Sequence, residues 1–128
     1  MKAHGEITIE WRGARLVVKA FGAFNPEGVI VAGTIINEEI NSAPFARFTR
    51  FEQLSDETMS SADGFAHVKQ NYLNSFKCGC AAIAVVSERH SGMLSHMFAE
   101  LCMRDDFQVF SSVTSAEQWL SEFEESES

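Results

Sequence analysis

The sequence lacks any long apolar stretch. No run free of Asp, Glu, Lys and Arg exceeds ten residues, whereas about 20 consecutive apolar residues are needed to cross a bilayer. Residues 1–6 also lack the apolar core of a signal peptide. We therefore expect a cytoplasmic protein, with any membrane contact being peripheral and at the inner membrane.

Basic residues are scarce. The chain has 10 Lys and Arg against 18 Asp and Glu, which gives a net charge of −8. An acidic surface repels a phosphate backbone, so no nucleic-acid partner is expected. Acidic residues crowd the C-terminus, and we interpret the chain from about residue 124 as a solvated, fraying helix end.

Cysteines and catalytic motifs are few. An odd set of three cysteines, Cys78, Cys80 and Cys102, indicates reduced thiols, and their spacing does not supply four zinc ligands. We expect no metal and no cofactor. The sequence has no G-x-S-x-G elbow, dinucleotide fingerprint, P-loop or H-E-x-x-H motif. A non-enzymatic protein is therefore favoured over an enzyme.

What is present is a regular alternation of strand and helix patterns. Residues 6–11 alternate apolar and polar side chains, and residues 15–21 return after a turn, which predicts an antiparallel hairpin. Asn25-Pro26-Glu27 predicts the start of a helix that ends near Asn41. Further strands are predicted over residues 45–54, 80–86 and 107–110. The helices between and after them are predicted to begin near Ser60 or Ser61, at Ser91, and at a capping box that opens with Thr114.

The resulting order is β-β-α-β-α-β-α-β-α over a single domain, residues 1–128. It predicts an α/β fold with a mixed, mostly parallel sheet entered by the hairpin. In the first helix one arc is expected to face the core: Val29, Ala32, Ile35, Ile36 and Ile40. Ile30 and Val31 lie outside that arc and form either a second exposed apolar patch, such as a dimer surface, or crowded core.

The stretch from Cys80 to Leu120 carries a family resemblance. The residues concerned are Ile83-Ala84-Val85-Val86-Ser87, the helix over residues 94–101, Val109-Phe110, and Ala116-Glu117-Gln118-Trp119-Leu120. With this pattern the chain resembles the SpoIIAA-like family of small bacterial proteins. The resemblance implies a fold shared with STAS domains, which are protein-interaction modules, and with CRAL-TRIO domains, which carry nonpolar ligands. Fold alone does not choose between those roles.

Methionine and aromatic residues in the second and third helices favour a carrier. Met is flexible and lines surfaces that accept variable apolar shapes. We predict a non-enzymatic binder or carrier of a nonpolar, lipid-like ligand, with reversible peripheral membrane contact through these two helices. The predicted ligand-binding residues lie beneath them: Phe65, Val68, Tyr72, Met93, Met97 and Phe98. The alternative is that the same side chains simply fill the core.

Two other functions remain open. In the phosphorylated STAS domains an Asp-Ser-Ser-Gly motif precedes the second helix, and the corresponding residues here are Ser60, Ser61 and Asp63. Asp63 stands where the acceptor serine would be, so a regulatory, protein-docking corner competes with plain helix capping.

The loop of residues 87–91 follows a buried strand and enters a helix, where open parallel sheets place their ligands. Ser87, His90 and Ser91 are weak candidates for an interfacial hydrolase, and Arg89 with Ser91 for an anion site.

Overall fold

Five strands form one mixed sheet. In a computed structural model that describes residues 2–58 and 62–125, the strands lie in the order β1-β2-β3-β4-β5. They are β1 (Glu6–Arg12), β2 (Arg15–Phe21), β3 (Phe48–Leu54), β4 (Cys80–Val86) and β5 (Phe107–Phe110). β1 and β2 are antiparallel, and every later neighbour is parallel. The predicted α/β class, the hairpin and the mostly parallel sheet are confirmed.

In the described part of the chain, five helices accompany the sheet. They are α1 (Pro26–Ser42), α2 (Ala62–Lys77), α3 (Ser91–Met97), α4 (Ala99–Cys102) and α5 (Val113–Glu125). The predicted cap of α1 is confirmed, because the Asn25 side chain accepts a hydrogen bond from the Gly28 amide at 2.8 Å. The predicted third helix is in fact two, since the backbone leaves helical geometry at Phe98.

Two predicted caps were wrong. Residue Ser91 is the first residue of α3 rather than its cap, and His90 takes the cap position without a side-chain hydrogen bond. The helix α5 begins before Thr114, and the Ser112 hydroxyl accepts from the Ser115 amide at 3.3 Å. The predicted start of α2 at Ser60 or Ser61 falls outside the described residues. Strand β3 begins at Phe48 instead of Phe45, which lies in the preceding loop and packs its ring on Trp11.

The sheet separates two unequal layers. Each parallel connection leads to the next strand in the same direction along the sheet. Because such crossover connections have the same handedness, the helices in them, α1 to α4, lie on one face of the sheet. α5, which follows the last strand, covers β3, β4 and β5 on the other face. Strand alternation matches this division, because Leu16 and Val18 of β2 join the core under α1 to α4, and Val17 joins the core under α5.

The outer side of α1 is apolar. Val29, Ile36 and Ile40 are buried against the sheet as predicted, but Ile35 is 44% exposed, so its assignment to the inner arc was wrong. Gly33 and Asn37 of α1 accept hydrogen bonds from α2, so this side of α1 faces α2 and Ile35 faces away from the core. Ile30 and Val31 are exposed as well.

Candidate functional site

An apolar cavity lies on the face of the sheet that α1 to α4 cover, between the sheet and these helices. This inner cavity has a free volume of about 70 Å³ and sits at the carboxyl ends of β2 and β3. Carboxyl ends of parallel strands are where open α/β sheets hold ligands. Its apolar walls come from the hairpin, the β3 end and the helices: Ile7, Val18, Ala20, Phe24, Val29, Ala32, Ile36, Leu54, Phe65, Val68, Leu94 and Phe98.

Two charged residues of β3 form the floor of the inner cavity. Arg50 and Glu52 are two residues apart on the strand, so their side chains share one face. They are only 1% and 5% exposed. Arg50 Nη2 donates to Glu52 Oε1 at 2.5 Å, and the Tyr72 hydroxyl of α2 donates to the second Glu52 oxygen.

Helix α2 supplies the other partners of Arg50. Its Nη1 donates to Asn71 Oδ1 at 2.7 Å and to Ser75 Oγ at 2.8 Å. The guanidinium carbon also lies 4.9 Å from the centre of the Tyr72 ring. Residues 71, 72 and 75 lie within two helical turns, so this segment of α2 contacts the guanidinium through its Nη1 donor and through the Tyr72 ring.

The floor is polar but neutral overall. Burial acts to lower the pKa of Arg50, but the Glu52 charge, the Tyr72 hydroxyl and the hydrogen bond to Glu52 together outweigh it and raise this pKa above its ordinary value. Burial, with the Glu52 charge, holds the pKa of Tyr72 well above its usual value, so the phenol keeps its proton and donates. The Arg50 guanidinium therefore shares the floor with the Glu52 carboxylate, and its raised pKa keeps it charged.

One donor of this floor is unused. In the described part of the chain, Arg50 Nε is buried and has no hydrogen-bond partner. A buried N–H without a partner is costly, since it has lost water and gained nothing in return. A ligand with an acceptor oxygen could satisfy it, while the apolar walls enclose the rest of the molecule.

The structure brings together only some of the predicted ligand-binding residues. Phe65, Val68 and Phe98 line the inner cavity. Tyr72 is fully buried beside it, with its ring 5.5 Å from that of Phe98.

The expected position of Met93 and Met97 beneath the helices was wrong. These side chains are 43% and 41% exposed and are not among the cavity walls. α3 is only seven residues long, and it turns Leu94 inward instead.

The floor residues were missed from the sequence. A cation and an anion two residues apart, with Phe51 between them, was the available signal in Arg50-Phe51-Glu52. Opposite charges at that spacing lie side by side on one face of a strand. The signal indicates a charge pair, but not that it is buried.

The Ser87–Ser91 loop lies apart from the inner cavity. Ser87 is buried, and its hydroxyl accepts from the His90 backbone amide at 3.1 Å. None of the hydrogen bonds found among the described residues joins Ser87 to the His90 imidazole. Arg89 is largely exposed, 3.8 Å from Asp56, and Ser91 opens α3. The loop therefore lacks the joined nucleophile and base that hydrolysis needs.

The predicted regulatory corner is described only at Asp63. Ser60 and Ser61 lie outside the described residues, and Asp63 falls at the start of α2. Over residues 2–58 and 62–125, no group of three or more His, Cys, Asp and Glu side chains could hold a metal ion. No helix in those ranges is long and apolar enough to cross a membrane. No protein-family model and no curated protein matches this chain.

Proposed function

We propose that the chain is a non-enzymatic binder or carrier of a small nonpolar ligand, built on a fold of the SpoIIAA-like type. The observation that carries the proposal is the buried, unpartnered Arg50 Nε at the floor of an apolar cavity. Apolar walls with a few convergent polar groups are typical of small-molecule sites. The walls supply affinity for the ligand body, and the free N–H fixes the orientation of its oxygen.

The floor favours a neutral oxygen over a carboxylate. Arg50 is already neutralised by Glu52, so an added carboxylate would bring an uncompensated charge into an apolar space. A ketone, ether or alcohol oxygen accepts the hydrogen bond without that cost. The free volume of about 70 Å³ favours a ligand with a short chain or a small ring.

The seam between α1 and α2 gives a route by which the cavity could enlarge. Asn71 Nδ2 donates to the Gly33 carbonyl at 3.3 Å and to Asn37 Oδ1 at 3.0 Å. Asn74 Nδ2 donates to the same Asn37 oxygen at 3.0 Å. Water can replace such bonds at little net cost. Parting of the two helices at this polar seam would admit a longer ligand.

Exposed methionines support reversible membrane contact as part of the same function. Met93 and Met97 lie one turn apart on α3 and face outward. Because the net charge is −8, contact with an uncharged lipid surface is favoured over contact with an anionic one. Flotation with phosphatidylcholine vesicles is the test. Recovery in the lipid fraction should fall in a Met93→Ser/Met97→Ser variant, and equal recovery of both proteins would remove this part of the proposal.

Ligand binding is tested by thermal unfolding with 1-hexanol and with hexanoate. Hexanol should raise Tm, since a ligand at about 100 times its Kd adds about 2.7 kcal/mol of stability. Hexanoate should bind about tenfold more weakly or worse, for the electrostatic reason above.

A matched pair of variants locates the site. Val68→Phe adds a ring on a cavity wall, whereas Leu73→Phe adds the same ring to α2 where no cavity wall lies. Hexanol should lose its effect on Tm in the first variant and keep it in the second, each compared with its own ligand-free Tm. The proposal fails if hexanol does not stabilise the parent, or if it stabilises both variants equally.

A further inference from the structure

Among the residues that the structure describes, no strand pairs with the outer edge of β1. β1 is a full seven-residue strand at one end of the sheet, and across the described residues it pairs with β2 alone. The opposite edge strand, β5, has four residues. Long edge strands present free amides and carbonyls, and proteins generally protect or use them.

The hairpin fixes which backbone groups of β1 face outward. Arg12 and Arg15 form the pair that flanks the two-residue turn, and Gly13 there has the positive φ of 60° that such a turn requires. Residues 6, 8, 10 and 12 consequently direct their amides and carbonyls toward β2. The amides and carbonyls of Ile7, Ile9 and Trp11 point to the open edge, because the direction alternates along a strand.

We propose that two copies of this chain associate as a symmetric dimer by antiparallel pairing of their β1 strands about Ile9. In this register the outward amides meet in hydrogen-bonded pairs, Ile9 with Ile9 and Ile7 with Trp11 of the second copy. Glu6 then lies opposite Arg12 at both ends of the strand pair. The neighbouring registers of the same parity centre on residue 8 or 10, and they set Glu6 against Glu10 or Glu10 against itself. The charges select the register centred on Ile9.

The adjoining face of α1 extends the same surface. Val31 and Ile35, 48% and 44% exposed, line an outer groove of about 270 Å³ together with Ala32 and Ile7 of β1. In the proposed register the second copy's Trp11 lies opposite Ile7, on the sheet face where this groove opens. Apolar surface beside an open strand edge is typical of an interface between subunits.

Charge reversal tests the register. Sedimentation equilibrium should show a dimer, and Glu6→Arg or Arg12→Glu should each raise its dissociation constant about tenfold, because two pairs become repulsive at once. The double variant Glu6→Arg/Arg12→Glu should restore the parent value. Arg104→Glu is the matched control, since Arg104 bonds Asp106 two residues away as Arg12 bonds Glu10, and it should leave dimerisation unchanged.

Hydrogen exchange tests the edge itself. The amides of Ile7, Ile9 and Trp11 should exchange more slowly as protein concentration rises, whereas those of Thr8 and Glu10, already bonded to β2, should not respond. A monomer at every concentration overturns the proposal. So does a dimer whose β1 amides exchange at constant rates, or one that the double variant fails to restore.

Discussion

Removing the anion from the cavity floor should be among the costliest single changes to this protein. In Glu52→Gln the Arg50 guanidinium, 1% exposed, keeps its charge and loses its counter-charge. Breaking a buried ion pair from one side costs about 3–5 kcal/mol, a large part of the about 5–15 kcal/mol that holds a domain folded. Arg50→Met should cost a similar amount, because it leaves the Glu52 carboxylate buried with only the Tyr72 hydroxyl as a donor.

Removing both charges should cost no more than removing one. In Arg50→Met/Glu52→Gln no unpaired charge remains, so the second substitution relieves the penalty that the first created. The two single losses should therefore exceed the loss in the double variant by about 3 kcal/mol, which is the interaction free energy of the cycle.

Urea unfolding of the four proteins measures this cycle. The exposed pair Arg12–Glu10 provides the control, since its side chains are 53% and 54% exposed and its own cycle should give at most about 1 kcal/mol. The electrostatic account of the floor is refuted if the Arg50–Glu52 cycle is additive within about 0.5 kcal/mol. It is equally refuted if the two cycles give the same value.

Three further changes test other parts of the structure. Burial raises the pKa of Tyr72, which is the only tyrosine in the sequence. The free energy of unfolding should therefore fall as pH rises above 10.0. Phenolate absorbance should appear together with the loss of the helical circular dichroism signal, not before it. Burial acts to raise the pKa of Glu124, but hydrogen bonds from Arg15 and Thr49 outweigh it and lower this pKa. The parent should therefore be more stable to urea than Glu124→Gln, and this difference in unfolding free energy should shrink as pH falls below 4.5. A difference that persists in acid would contradict this. Asn25→Ala should cost about 1 kcal/mol in urea unfolding through loss of the α1 cap, and Asn25→Asp, which keeps the acceptor, should recover most of it; equal losses would argue against the cap.

The fold was predictable where local patterns are unambiguous. Strict alternation over residues 6–11 and the Asn25-Pro26 start of α1 depend on neighbours in sequence, and both predictions are confirmed. The break at Phe98 was not predictable in this way. Leu94, Phe98 and Leu101 are all buried, so the apolar spacing continues across the point where the helix ends.

The cavity was predictable only on its apolar side. Helical spacing placed Phe65, Val68 and Phe98 correctly, because each lies on the inward side of an amphipathic segment. The same reasoning failed for Met93 and Met97, since both lie within about 100° of Leu94 around the axis of α3 but only Leu94 is buried. Residue type then does not say which ones face inward.

The polar floor of the cavity could not be predicted from β3 alone, because its burial depends on a second element of the fold. Arg50 lies on β3, and its partners Asn71 and Ser75 come from α2, which follows in the chain after a loop. A charged side chain in a strand is normally assigned to a solvated face. Only the packing of α2 over β3 makes it a buried one, and no pattern within either segment fixes that packing.

The proposed ligand offers an explanation for the ion pair of the floor that packing alone does not give. Packed apolar side chains in place of a buried ion pair are often neutral or stabilising by about 1–4 kcal/mol, so β3 and α2 could be joined at least as firmly without Arg50 and Glu52. The pair also leaves Arg50 Nε buried without a partner, which an apolar replacement would avoid. Both costs fall at one place, where the pair borders an apolar cavity. A floor that is polar, neutral overall and has one donor without an acceptor fits the proposed ligand, which has an apolar body and a single uncharged oxygen.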